Sequence, residues 1–196
     1  SDVELALFWH DLDSNPRHVF TATHCPTRLG GAVRAYMTNL NATGTDEECQ
    51  YMMGDAPAAR ITVFMSRITS VDTLNALYEQ TVEQIDVAFD HPRTVSSDLL
   101  DFDGIPVRRG IFAQGNTRTG LWLSLVDGWS LKLRLTHNGE LTEAQIDAVA
   151  ADLFAELPGI QTHLAHCDAV APLGGATSRT PGVGDAVMLQ LQFEQA

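Results

Sequence analysis

The chain has 196 residues, 44% of them hydrophobic, so it is long enough for one domain with a real core and too apolar for a disordered chain. With 25 acidic against 12 basic residues its formal net charge is −13, which repels nucleic-acid phosphate and anionic lipid; the longest basic run is Arg108-Arg109. No apolar run reaches the length of a membrane-spanning helix.

The first residue is Ser1 rather than Met, which fits a leader removed ahead of it. Cys25, Cys49 and Cys167 form an odd set: either one disulfide with one free thiol, or three thiols in a reducing compartment.

In chain order, residues 3–9 are apolar enough for a first strand, and the Asp-, Asn- and Pro-rich stretch 10–16 reads as a turn. Residues 19–25 read as a second strand ended by Pro26, and 33–40 as a strand after Gly30-Gly31. The polar stretch 41–48 reads as a loop, 49–53 as a short strand and 59–68, rich in β-branched and aromatic residues, as a strong one. A helix follows, capped by Thr69 or Ser70, with Asp72 in its first turn. Its stripe is Val71, Leu74, Leu77, Tyr78, Val82, Ile85 and Phe89, and His91-Pro92 stops it.

Residues 93–100 read as a strand and turn, and 105–113 as a strand that puts Val107, Arg109, Ile111 and Ala113 on one face. Residues 119–137 form the central hairpin. A two-residue Asp127-Gly128 turn pairs Val126 with Trp129. A three-residue loop with Gly128 left-handed instead sets Leu125 against Trp129, Leu123 against Leu131 and Leu121 against Leu133. The second register gathers the leucines on one face and is the one predicted, leaving Trp122, Ser124, Ser130, Lys132 and Arg134 on the other.

The second helix carries the clearest signals: Thr142 and Gln145 as a capping box, and Leu141 with Ile146 as a hydrophobic staple. Its buried stripe is Ile146, Val149, Ala150, Leu153, Phe154 and Leu157, with Pro158-Gly159 as its end. Residues 160–167 give no clear signal. Residues 168–185, rich in Gly and Pro, read as a loop, and 186–193 as a last strand that pairs at a sheet edge or with a neighbouring molecule. The sum is a single α+β domain over 1–196: a largely antiparallel sheet flanked by two main amphipathic helices, a layered α/β/α sandwich.

Chemistry is sparsely signposted. There is no glycine-rich phosphate loop, no G-x-S-x-G, no H-E-x-x-H and no C-x-x-C. His163, His166 and Cys167, with Asp168, are the densest set of metal-ligand types, against the plainer reading of a surface segment. His10, Asp11 and Asp13 with His24 and Cys25 are a second such set, for a metal or thiol site, against the plainer reading of a strand end. Asp101 and Asp103 share a cation, act as an acid/base pair, or simply build a turn before Gly104. Trp122, Lys132 and Arg134 form an aromatic, cationic patch for an anionic ligand if no helix covers that face; if one does, Lys132 must snorkel out.

Cys25-Pro26-Thr27-Arg28-Leu29-Gly30-Gly31 with Arg34 and Tyr36, then Cys49-Gln50-Tyr51, residues 59–64 and 128–136 together resemble a family of uncharacterised bacterial proteins. Members carry a P-x-x-L/F-G-G turn, an A-T-V-Y-V-Y strand and a G-x-x-x-K-x-R-x-T strand; Phe64 and Ser66 replace the middle strand's tyrosines here. The order of elements also resembles the Mog1/PsbP type of sandwich. The resemblance implies an exported, periplasmic protein without assigned activity, and a fold whose known members act as binding or assembly factors. Export in turn implies a disulfide, with Cys25 and Cys49 the pair.

The reading that results is a non-enzymatic binding or accessory protein of the cell envelope, without a cofactor, monomeric or homodimeric. Its partner is a protein or a small anionic ligand. The alternatives are a metal- or thiol-dependent enzyme using 163–168, and a protein that self-assembles through 186–193.

Overall fold

The computed structural model describes residues 2–12, 15–54, 59–139 and 141–170. Helix α1 (Asp2–Phe8) leads into two short strands, β1 (Trp9–His10) and β2 (Arg17–His18), which pair with each other. Strands β3 (Arg28–Leu29), β4 (Ala32–Asn39), β5 (Asp46–Met53) and β6 (Ala59–Arg67) follow as a meander. Helix α2 (Leu74–Ala88) then carries the chain to the opposite edge. From there β7 (Arg93–Phe102), β8 (Ile105–Gln114), β9 (Thr117–Val126) and β10 (Trp129–His137) return as a second meander. β10 pairs with β6, closing one eight-stranded antiparallel sheet in the order β3-β4-β5-β6-β10-β9-β8-β7. Helices α3 (Glu143–Phe154) and α4 (Leu157–Val170) complete the described chain.

Side chains alternate across a strand, so a sheet with helices on both faces holds two cores. On one face Leu77, Tyr78 and Ile85 of α2 pack against Phe112, Leu121 and Leu123. On the other, Val149, Leu153, Phe154, Leu157, Ile160 and Leu164 of α3 and α4 pack with Ile61, Val63, Met65, Trp122, Leu131, Leu133 and Leu135. The result is the layered α/β/α sandwich of an α+β protein.

That double burial corrects the hairpin. Val126 pairs with Trp129, Leu123 with Lys132 and Leu121 with Arg134, the register of a two-residue turn. Asp127 and Gly128 are both left-handed (φ 48° and 76°), as a turn matched to strand twist requires. The leucines had no reason to share a face, because each face has its own helix: Leu121 and Leu123 meet α2, while Leu131 and Leu133 meet the α3 side. Asp103-Gly104, with φ 53° and 85°, makes the same turn between β7 and β8.

Other differences have local causes. Residues 2–8 are helical rather than a strand, because Leu5 and Phe8, three apart, both reach the core while Leu7 stays exposed. Residues 19–22 turn back instead of extending: the Ala22 N–H donates to the His18 carbonyl, and Ala22 is left-handed. β5 begins at Asp46, inside the stretch read as a loop, since its carboxylates find donors in the fold. The cap of α2 is Thr73, whose side chain accepts the Ala76 N–H, not Thr69 or Ser70.

The capping box of Thr142 and Gln145 is present as read. Pro158-Gly159 does not stop the chain. A proline in a first turn forfeits no helical hydrogen bond, so α4 begins at Leu157 and runs on to Val170, over the start of the region read as a loop. The remainder of that loop and the strand 186–193 lie outside the described residues.

The Gly30-Gly31 turn owes its first glycine to packing. A Cβ at Gly30 would stand 2.4 Å from the Val149 Cα, and the Gly30 N–H donates to Asp152 at 2.8 Å, which docks α3 on β3. Cys25 and Cys49 are joined by a disulfide with Cα atoms 6.1 Å apart.

A candidate ligand cleft

On the α3 face, the pairings of β8, β9 and β10 lay out three rows. Arg109, Trp122 and Leu133 form the first, Ile111, Gly120 and Leu135 the second, and Ala113, Arg118 and His137 the third. The middle row has no side chain at its centre, and the Trp122 indole lies over that position. A Cβ at Gly120 would lie 2.3 Å from the Trp122 indole and 3.3 Å from Ile111, so the ring occupies the space that a side chain would take. Over these rows opens a cleft of about 470 Å³, within the range of small-molecule sites. Val95, Leu141 and Ile146 supply apolar walls; Asn116, Asn138, Gly139, Glu143 and Asp147 supply the polar rim.

The first turn of α3 forms one side of the mouth, and the Thr142 capping box fixes where that turn begins. Arg109 is tied down, with a guanidinium nitrogen 3.1 Å from Asp98 and another 4.0 Å from Asp147, while its buried Nε has no partner. Arg118 is differently placed: among the described residues its Nη1 donates only to the carbonyls of Gly115 and Thr117, at 3.3 and 3.4 Å. The Gly139 N–H donates to His137 Nδ1 at 3.1 Å.

A second polar group lies on the same face near the start of β10. Glu47, fully buried, accepts the Trp9 indole N–H at 3.1 Å, and its other oxygen is without a partner. Burial pushes its pKa up to about 8, the Trp9 hydrogen bond opposes this, and the neighbouring Asp46 charge adds to it. His18 bonds at both nitrogens, Nδ1 to the Thr21 hydroxyl at 2.9 Å and Nε2 to the Gly44 carbonyl at 3.1 Å. Burial lowers its pKa to about 4 despite the Gly44 bond. The rings of Trp9, Phe20 and Trp129 surround it at 5.2–5.6 Å.

The residues singled out from sequence fall elsewhere. Trp122 is 1% exposed on the α3 face, whereas Lys132 and Arg134 lie on the α2 face, so the three make no common patch. The cause is the register: Trp122 pairs with Leu133, and its neighbours on either side point the opposite way. Lys132 stands 4.0 Å over the Phe64 ring and Arg134 4.8 Å over Phe89.

His163 and Cys167 share one side of α4, with Nε2 and Sγ 3.7 Å apart; His166 and Cys167 are exposed, and Cys167 is a free thiol. Among the described residues no three ligand-type side chains gather to hold a metal. His10 and His24 flank Arg17 from opposite sides, and His24 bonds Glu156 through its backbone N–H at 2.8 Å. Asp101 accepts the Gly104 N–H at 2.9 Å, an ordinary turn bond.

Sequence reading missed the cleft. Its one local signal was Gly120, a lone glycine inside a strand, and Arg109 was placed on the correct strand face with Ile111.

No protein-family model matches the sequence, and no curated protein matches it either. Among solved structures, the chain is similar to the solution structure of cyanobacterial PsbP (CyanoP) from Synechocystis sp. PCC 6803. Identity is 14%, over 57% of this chain and 71% of that one, with a TM-score of 0.39.

Proposed function

We propose that this chain is a non-enzymatic binding protein of the cell envelope, and that its ligand is a small molecule held in the cleft over Gly120. The observation that carries the reading is the hollow itself. A cleft of about 470 Å³ opens over the three rows, between apolar walls from Val95, Leu141 and Ile146 and a charged rim. The groups at the rim are suited to orienting a ligand: Arg118 has spare donors, Arg109 is fixed by two carboxylates, and the His137 ring is fixed by Gly139. The Cys25–Cys49 disulfide supports an oxidising compartment, and hence export.

The test is a thermal-shift screen of the purified chain against small organic acids, amines, sugars and nucleosides, repeated with Ile146→Trp to fill the cleft from α3. A ligand that raises Tm in the native chain and not in the variant supports the reading. A screen with no hit, or hits that survive the substitution, overturns it.

A further inference from the structure

Resting on that reading, we infer that the cleft takes a singly charged carboxylate with an apolar body, the carboxylate on Arg118 and the hydrocarbon between Ile111, Leu141 and Ile146. The cleft is polarised along its length. The third row and the turns beside it are polar, with Arg118, His137, Asn116 and Asn138; the middle row is apolar, with Ile111 and Leu135 below and Leu141 and Ile146 above. From Arg118 to Trp122 is four residues of strand, or about 13 Å, which accommodates a carboxylate with a chain of about eight carbons.

Charge then selects the head group. Among the described residues two arginines and two carboxylates line the cleft, but they are not evenly paired. Arg109 spends its charge on Asp98 and Asp147. Arg118 faces only backbone carbonyls among the described residues, so its charge is the one left for a ligand. A guanidinium with open donors and a planar carboxylate pair through charge-assisted, often bidentate hydrogen bonds, roughly twice as strong as neutral ones. A dianion such as a phosphate monoester meets one uncommitted cation here, with Glu143 and Asp147 at the rim opposing its second charge.

Four probes of equal chain length separate the possibilities: octanoate, octanamide, 2-aminooctanoate and octyl phosphate. Each is titrated calorimetrically into the chain and into Arg118→Gln, and located by backbone amide shifts at Gly115, Gly120 and Gly139. The expected result is that octanoate binds with shifts at those glycines, that octanamide is weaker by about tenfold or more, and that Arg118→Gln weakens octanoate by a similar factor without changing octanamide. If the amide, the zwitterion or the phosphate binds at the same glycines as tightly as octanoate, the carboxylate assignment is wrong and the cleft stands as the site. If none of the four binds, or the shifts fall elsewhere, the carboxylate assignment is also overturned. The cleft reading itself is then decided by the thermal-shift screen, which includes ligands of other classes.

Discussion

At the Trp129 end of β10 the α3 face of the sheet carries Glu47 and His18 under the rings of Trp9, Phe20 and Trp129; at the His137 end it carries Arg109 and Arg118 around a hollow. Both regions hold ionisable groups against an indole. In the first, aromatic rings fill the space and His18 is bonded at both nitrogens, so the polar groups serve the fold. In the second, the Trp122 ring covers Gly120 but a cleft stays open above the rows, and one guanidinium keeps donors to spare. The lesson is that a perturbed, buried acid marks a site less reliably than an unfilled space does. Glu47 is the more abnormal group, yet nothing has room to reach it.

Breaking the filled corner should cost most. Trp9→Ala removes a side chain that is 2% exposed together with the donor on Glu47, and should lower stability by about 3–5 kcal/mol in a urea titration. A loss under about 1 kcal/mol would mean that the corner is not packed as described.

The same corner makes stability depend on pH, through two opposed contributions. Glu47 keeps its proton to about pH 8 in the folded chain against 4.5 when free, so its contribution is whole below 4.5 and is lost as pH rises to about 8. His18 stays neutral down to about pH 4 against 6.5 when free, so its contribution is whole above 6.5 and is lost as pH falls to about 4. The slopes offset each other between 4.5 and 6.5, and Glu47 acts without that counterweight from 6.5 to 8. There stability should fall by up to about 1.4 kcal/mol per pH unit. Burial also raises Asp46 and Glu156, which contribute in the direction of Glu47. Glu47→Gln should flatten most of the decline above pH 6.5, read as the urea midpoint against pH. An unchanged slope in the variant would assign the decline to other groups.

A smaller effect belongs to the hollow region. Thr142→Ala deletes the cap that sets the first turn of α3 at the cleft mouth and should cost about 1 kcal/mol, while weakening any cleft ligand by loosening Leu141 and Ile146. If affinity is untouched while stability falls, α3 positions nothing in the site.

Much of the fold was legible because its signals are local. Thr142 and Gln145 lie three residues apart and bond each other's backbone N–H groups, so the start of α3 needs nothing distant. Strand β6 and the stripe of α2 follow from side-chain type and spacing in the same way. Asp46 and Glu47 misled because their partners, Ser66 and Trp9, are 20 and 38 residues away, and without them two carboxylates read as loop.

Sequence by itself determined the layered α+β architecture, the cap of α3 and the positions of most strands, since propensity, periodicity and capping act within a few residues. Tertiary structure alone decided the register of the central hairpin, because side-chain alternation says that faces differ but not which helix covers each one. It also decided the site. Arg109, Gly120 and His137 sit on three strands and in three successive rows, and only the antiparallel pairing gathers them, with Arg118 beside His137, around a space that no single segment encodes.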